Sequence, residues 1–404
     1  MAKPTVRIIG GGFSGLVAAR AFVRRSFPVV VYEKELRLGG MIQSVHHAFG
    51  IYETAANGIL NSMAVTELFK DCDVPIAAPP PRARRRFIYR GQKLKQWPLN
   101  LRETVVLILK GLKSRIFNQH LPQSEETLKQ WCERVLTGNV YTYLLAPAMQ
   151  GIYAGDASKL SASLLLNRLF LSRRKKVKLR GTIFPKNGME DLIQGLGKYL
   201  SHNGVDIRLG QEARIELPTE DLWVIATNAV AAAKILHNVA PEEAKILEKI
   251  EMLPLVTVQV FADEDDQTRQ GFGALFPRHS GIRSLGVLWD HSLFPQRSQT
   301  ASERWILGGA TDHKLIELED VQIEQIVQQD REKLGARKGW KTAVITRWPQ
   351  ALPHYTVALE RHLSQIILPH NMALVGNYMG AIGLSQILQK AEDLAQLWED
   401  QFGR

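Results

Sequence analysis

Residues 6–44, VRIIGGGFSGLVAARAFVRRSFPVVVYEKELRLGGMIQS, restrict what this chain can fold into more than any other stretch. An apolar run at 6–9 passes directly into Gly10, Gly12 and Gly15 in GxGxxG spacing, and a helix-compatible run over 14–25 follows. That spacing predicts a strand, a turn and a helix. The glycines would serve a tight turn, close approach of backbone N–H groups to a pyrophosphate, and close packing of helix on strand. A second strand is expected over 28–32 and ends in Glu33, eighteen positions past Gly15. A carboxylate there accepts hydrogen bonds from both hydroxyls of an adenosine ribose. The unit therefore reads as dinucleotide-binding, with Gly10, Gly12, Phe13, Ser14, Gly15, Glu33 and Lys34 as candidate contacts.

After Glu33 the chain continues KELRLGG at 34–40, which resembles the ExxxRxGG extension of the flavoprotein amine-oxidase superfamily. The resemblance implies a flavin dinucleotide, FAD, rather than a nicotinamide. Gly39, Gly40 and Met41 would lie along it, and Arg37 would set a fixed cation near its phosphates.

A chain of 404 residues, 45% hydrophobic and 23% charged, is expected to fold as two or three domains. Its two cysteines, Cys72 and Cys132, lie far apart and without metal-ligand spacing, which argues against a disulfide framework or a zinc site and for a reducing compartment. No signal-peptide pattern precedes the first strand, and no uninterrupted apolar run is long enough to predict a spanning helix. The net charge of +11 is concentrated: eleven Lys or Arg fall between Arg82 and Arg115 against the single acid Glu103, and seven fall between Arg168 and Arg180 with no acid. Such clusters point to an anionic partner, phospholipid headgroups or a polycarboxylate substrate, with a solvated basic face as the plain alternative. No nucleic-acid module accompanies them, so a nucleic-acid partner is not expected. In the helix predicted over 101–117, Val105, Ile108, Leu109, Leu112 and Ile116 share one face while Lys110, Lys113 and Arg115 lie elsewhere. Such a helix suits a bilayer surface or, equally, a protein core.

Further along, a hairpin is expected around Arg90 and Gly91, and helix over 124–171. Strands at 204–209 and 221–227 would join the first sheet, and strands at 255–262, 273–276, 281–288 and 304–311 would form a second. A polar helix is expected over 319–335, a strand over 341–348, a loop stiffened by Pro349 and Pro353, and a closing strand and helix at 372–375 and 384–401. His354 shows no partner in the sequence and is assigned no catalytic role.

Six ordered segments are similar to protoporphyrinogen oxidases: GIYAGDASKLS at 151–161, GFGALFP at 271–277, LGVLWDHSLFP at 285–295, ILGGA at 306–310, RWPQALPHY at 347–355 and GNYMGAIG at 376–383. The resemblance runs over nearly the whole chain. It implies an α/β fold: a discontinuous Rossmann-like FAD-binding domain (1–78, 186–253 and 351–404), a helical membrane-binding domain carrying the substrate-anchoring hairpin (79–185), and a mixed α+β substrate domain (254–350). It implies aromatisation of a porphyrinogen. Hydride passes to flavin N5 and dioxygen is reduced to peroxide, so no side chain need be catalytic. Arg86 would bind a propionate, and Phe272, Gly273, Leu275 and Ile306 would wall the macrocycle. Ala55, Asn57, Gly58, Ala213, Gly376, Asn377, Gly383 and Leu384 would complete the flavin site. The same resemblance places the protein in the cytoplasm, peripherally on the inner face of a membrane, with a haem-pathway enzyme or a second copy as a partner. Coproporphyrinogen as substrate, an amine or polyene oxidase, and a non-catalytic porphyrin-binding paralogue stand as alternatives.

The chain departs from that pattern in three places. Glu53-Thr54-Ala55-Ala56-Asn57 stands where Glu-x-Gly-Pro is usual, and alanine lacks glycine's access to positive φ, so backbone approach to the flavin is expected to differ there. A strand pair between Ala213 and Asp221 is almost absent, and Gln389-Lys390 replaces a small Ser-Gly pair.

Overall fold

A computed structural model describes residues 3–171 and 179–403, without the side chains of 168–171; the second basic run, 168–180, thus lies almost wholly outside the described residues. The fold is mixed α/β, organised on two sheets. The first has five parallel strands in the order Asp206–Leu209, Val29–Glu33, Val6–Ile9, Leu222–Ile225 and Met372–Leu374. Its strands come from three separated stretches of chain. All four residues of Leu222–Ile225 are buried, as a strand covered on both faces requires.

The helix Phe13–Val23 is buried on nearly every side because the C-terminal helix Leu384–Phe402 and the helix Met189–His202 cover it. Its Arg20 is fully buried yet answered by Asp71 at 2.6 Å and Glu392 at 2.7 Å, so the charge stays paired.

The second sheet has seven strands in the order Thr342–Pro353, Met252–Ala262, Ala301–Gly308, Gly286–Leu288, Gly273–Leu275, Arg86–Tyr89 and Leu94–Lys95. The pairing is antiparallel except between Gly273–Leu275 and Arg86–Tyr89. The hairpin expected around Arg90 and Gly91 closes its far edge. The segment 347–355, expected as a loop, is instead largely the end of the edge strand Thr342–Pro353. An edge position and a register shift opposite Pro254 accommodate the prolines, which have no N–H to give a ladder.

The single helical stretch expected over 124–171 is broken. Thr127 and Thr137 cap the helices Leu128–Val135 and Gly138–Val140, a π-turn covers Tyr141–Leu145, and Ala146–Tyr153 ends at Ala154 in a left-handed conformation. Leu101–Ile116 is one regular helix with an Asn100/Glu103 capping box, and Ser114 is its one buried residue. Leu101, Val105, Ile108, Leu109, Leu112 and Ile116 all face outward, so the core-facing alternative does not hold. The helix is moored near its first turn by Arg90, which pairs with Glu103 at 2.7 Å and stacks on Tyr143. Among the described residues no helix is long and apolar enough to cross a membrane.

Candidate functional site

Backbone builds the first half of the site. Gly10 has φ +110°, and a Cβ on Gly15 would lie 1.9 Å from the Gly10 carbonyl oxygen, so no other residue fits at 15 without moving strand from helix. The helix Phe13–Val23 starts at Gly12 with no side-chain cap, which leaves its first N–H groups, Ser14 among them, for an anion. The distant glycine pair folds onto the same spot: Gly39 N donates to Gly11 O at 2.8 Å, and a Cβ on Gly40 would come within 3.3 Å of Gly12 Cα.

Glu33 is buried and its carboxylate is oriented by backbone. Oε2 accepts from Gly11 N at 2.7 Å and Oε1 from Glu35 N at 2.9 Å, so each oxygen keeps a lone pair for a ribose hydroxyl. Arg37 is exposed and donates to Gly40 O at 2.6 Å. Lys34 points to solvent, whereas Phe13 and Ala213 are buried packing residues. Met41 lends its carbonyl to Thr54 Oγ1 at 2.8 Å.

The segment 376–384 links the last strand of the first sheet to the C-terminal helix. Gly376 is too close to the Tyr378 ring for a Cβ, and Asn377 O accepts from the Tyr355 hydroxyl. Lys390, one of the departures in the sequence, donates to Met379 O and so ties the last helix to this turn. Gly383 is the uncapped N-terminus of that helix, directly before Leu384. The Tyr378 hydroxyl is fully buried without a partner among the described residues, and burial raises its pKa.

Side chains build the second half. Glu53 Oε1 pairs with Arg297 at 2.7 Å and also accepts from Met189 N, while Oε2 accepts from Ser44 Oγ. Burial pushes the Glu53 carboxyl up and the Arg297 guanidinium down, each offset in part by the other's charge. Trp348 Nε1 donates to Thr54 O at 2.9 Å, and Arg304 donates to Ala55 O and to Asn57 Oδ1. Residues 54–58 show no positive φ, so the alanines sit in a conformation open to any residue.

A cavity of about 280 Å³ lies against this loop. Ala55, Asn57, Gly58, Phe272 and Ile306 are among the residues that line it. Two groups of sequence-predicted positions, more than 200 residues apart, therefore share one space. Gly273 and Leu275 are not among its lining residues: Leu275 instead fills the space beside Gly151 and Gly286. Arg86 stands beside the cavity, its guanidinium 4.3 Å from the Phe272 ring centroid and without a carboxylate partner among the described residues. Sequence reasoning missed Leu288, Phe294 and Arg304, which also line the cavity; for Arg304 the available signal was the charged pair Glu303-Arg304 directly before the apolar run Trp305-Ile306-Leu307.

His354 does have partners, which corrects the sequence expectation. Its Nδ1 lies 2.7 Å from Glu251 Oε2 and its Nε2 accepts from Asp156 N at 3.1 Å, joining the GIYAGD turn to the start of Met252–Ala262. An expanse of glycine backbone at a helix N-terminus, a ribose-ready carboxylate, and the unpartnered amide nitrogen of the cavity-lining Asn57 fit a bound dinucleotide that completes the site.

A family model described as flavin containing amine oxidoreductase matches residues 13–378. The chloroplastic protoporphyrinogen oxidase of Nicotiana tabacum is 22% identical, covering 96% of this chain and 84% of its own. Protoporphyrinogen oxidase of Bos taurus is 26% identical, covering 87% and 88%. A crystal structure from Exiguobacterium sp. 255-15, provisionally named a protoporphyrinogen oxidase, superposes with a TM-score of 0.77 at 19% identity, covering 99% of this chain and 100% of that one, and speaks for the fold.

Proposed function

The chain belongs to the flavin-containing amine oxidoreductase family and its cofactor is FAD; from that premise we propose that it oxidises protoporphyrinogen IX to protoporphyrin IX with dioxygen as acceptor. The observation that carries the reading beyond the family is Arg86. It is a guanidinium without a carboxylate partner among the described residues, held on the ring of a cavity-lining phenylalanine, which suits it to grip a propionate. Bound FAD would supply the hydride acceptor. This chain's residues would supply the rest. Phe272, Leu288, Phe294 and Ile306 keep water from the macrocycle, Glu33 and the glycine turn hold the adenosine end, and residues 55–58 and 376–384 hold the ring end.

In this reading 1–78, 186–253 and 351–404 form the flavin-binding unit, 254–350 the substrate unit, and 79–185 the unit that meets a membrane. The outward apolar residues of Leu101–Ile116, flanked by Lys110, Lys113 and Arg115, support peripheral contact with an anionic lipid surface from the cytoplasmic side. The test is porphyrin fluorescence in air, with and without added FAD, alongside oxygen uptake. We expect fluorescence and uptake to rise together and to depend on FAD. Bound flavin with no porphyrin formed would refute the substrate assignment, and faster turnover of coproporphyrinogen would move it.

A further inference from the structure

The strand Ala301–Gly308 carries a buried cation where an apolar residue would be expected, since Arg304 is 2% exposed. Every branch of the guanidinium is occupied. Nη2 donates to Asp290 Oδ2 at 2.9 Å, and Nε donates to Gln259 Oε1 at 3.3 Å. Gln259 is itself held by Ser302 at 2.8 Å. Nη1 donates to Asn57 Oδ1 and to Ala55 O. A guanidinium can only donate, so the Asn57 amide must present its oxygen to Arg304 and turn its nitrogen away. That nitrogen, Nδ2, is buried and has no partner among the described residues, and Asn57 lines the cavity.

We propose that Arg304 is a positioning residue which orients the Asn57 amide so that Nδ2 donates to an acceptor atom of the bound flavin ring. The arrangement stands where the chain has Ala55 and Ala56 in place of glycine and proline. Such a loop lacks the fixed φ that a proline imposes, and Arg304 ties Ala55 and Asn57 to the substrate-side sheet. The inference rests on the FAD reading and is independent of which substrate is oxidised.

The test titrates apoprotein with FAD and records affinity and the visible flavin spectrum for Asn57→Asp, Arg304→Met, Arg304→Lys and the Asn57→Asp/Arg304→Met double variant. Asn57→Asp keeps a partner for Arg304 but loses the N–H donor. It should weaken FAD binding about tenfold and shift the flavin band. Arg304→Met should do the same, Arg304→Lys should fall between it and the native protein, and the double variant should be no worse than either single change, because both remove one interaction. If Arg304→Met does not fold, the Asn57→Asp titration decides alone. Native FAD affinity and spectrum in Asn57→Asp, additive losses in the double variant, or a change confined to substrate KM would each overturn the proposal. Any of those results with porphyrin still formed would leave the substrate reading intact. The expected FAD results without porphyrin formation would sink that reading alone.

Discussion

The two halves of the site are built from different materials. At the end proposed to hold adenosine the groups on offer are mostly backbone, set by the Gly10–Gly15 turn with Gly39 and Gly40 folded onto it, and by Glu33, which accepts from Gly11 N. At the cavity end the loop 53–57 is held by side chains from far along the chain, Arg297, Arg304 and Trp348. A site made of backbone needs particular residues in a particular local order, so it leaves a motif. A site made of side chains needs only that distant strands converge. Its residues can vary provided the charges and hydrogen bonds are answered.

The contrast is open to breakage at both ends. Gly15→Ala should have the largest effect: the added methyl collides with the Gly10 carbonyl, strand and helix must part, and FAD affinity should fall at least about a hundredfold by equilibrium titration. Near-native FAD binding would mean that the glycine cradle is not where the cofactor's phosphates lie. Arg297→Met should cost about 3–5 kcal/mol in chemical denaturation, because it strands Glu53 in the interior, and adding Glu53→Gln should recover most of that loss.

The sign with pH follows from burial. A carboxyl whose folded pKa is raised contributes stability below its ordinary pKa and loses it as pH rises through the raised value. Removing the opposing cation raises it further, so the deficit of Arg297→Met should grow from acid to neutral pH. Smallest, and confined to the cavity end, should be Arg86→Ala: about a tenfold rise in KM for the porphyrinogen, with FAD affinity and thermal midpoint unchanged.

What the sequence made legible follows the same division. The parallel strands, the GxGxxG turn, Glu33 at the end of its strand and the helix Leu101–Ile116 were readable because each depends on spacing within one segment, whereas the exposure of that helix was left open by its sequence. Phe272 and Ile306 were placed only by resemblance, and Leu275, placed the same way, fills a gap beside Gly151 and is not among the lining residues. Arg304 and Arg297 were passed over because a charge in the sequence does not say whether it is buried; the partners on the 53–57 loop, Asn57 for Arg304 and Glu53 for Arg297, lie more than 200 residues away. His354 was misjudged for that reason, its neighbours being Glu251 and Asp156. The segment 347–355 was misread as loop because prolines argue against a strand interior, while the edge position that tolerates them is a property of the sheet.

In the proposed reading, substrate meets flavin in the cavity lined by Ala55, Asn57, Gly58 and Ile306. Ile306→Trp should fill that space. The decisive measurement is FAD content together with porphyrin formation in this one variant. Full FAD content with porphyrin formation reduced at least about tenfold is expected; full FAD content with native porphyrin formation would show that substrate does not occupy this cavity.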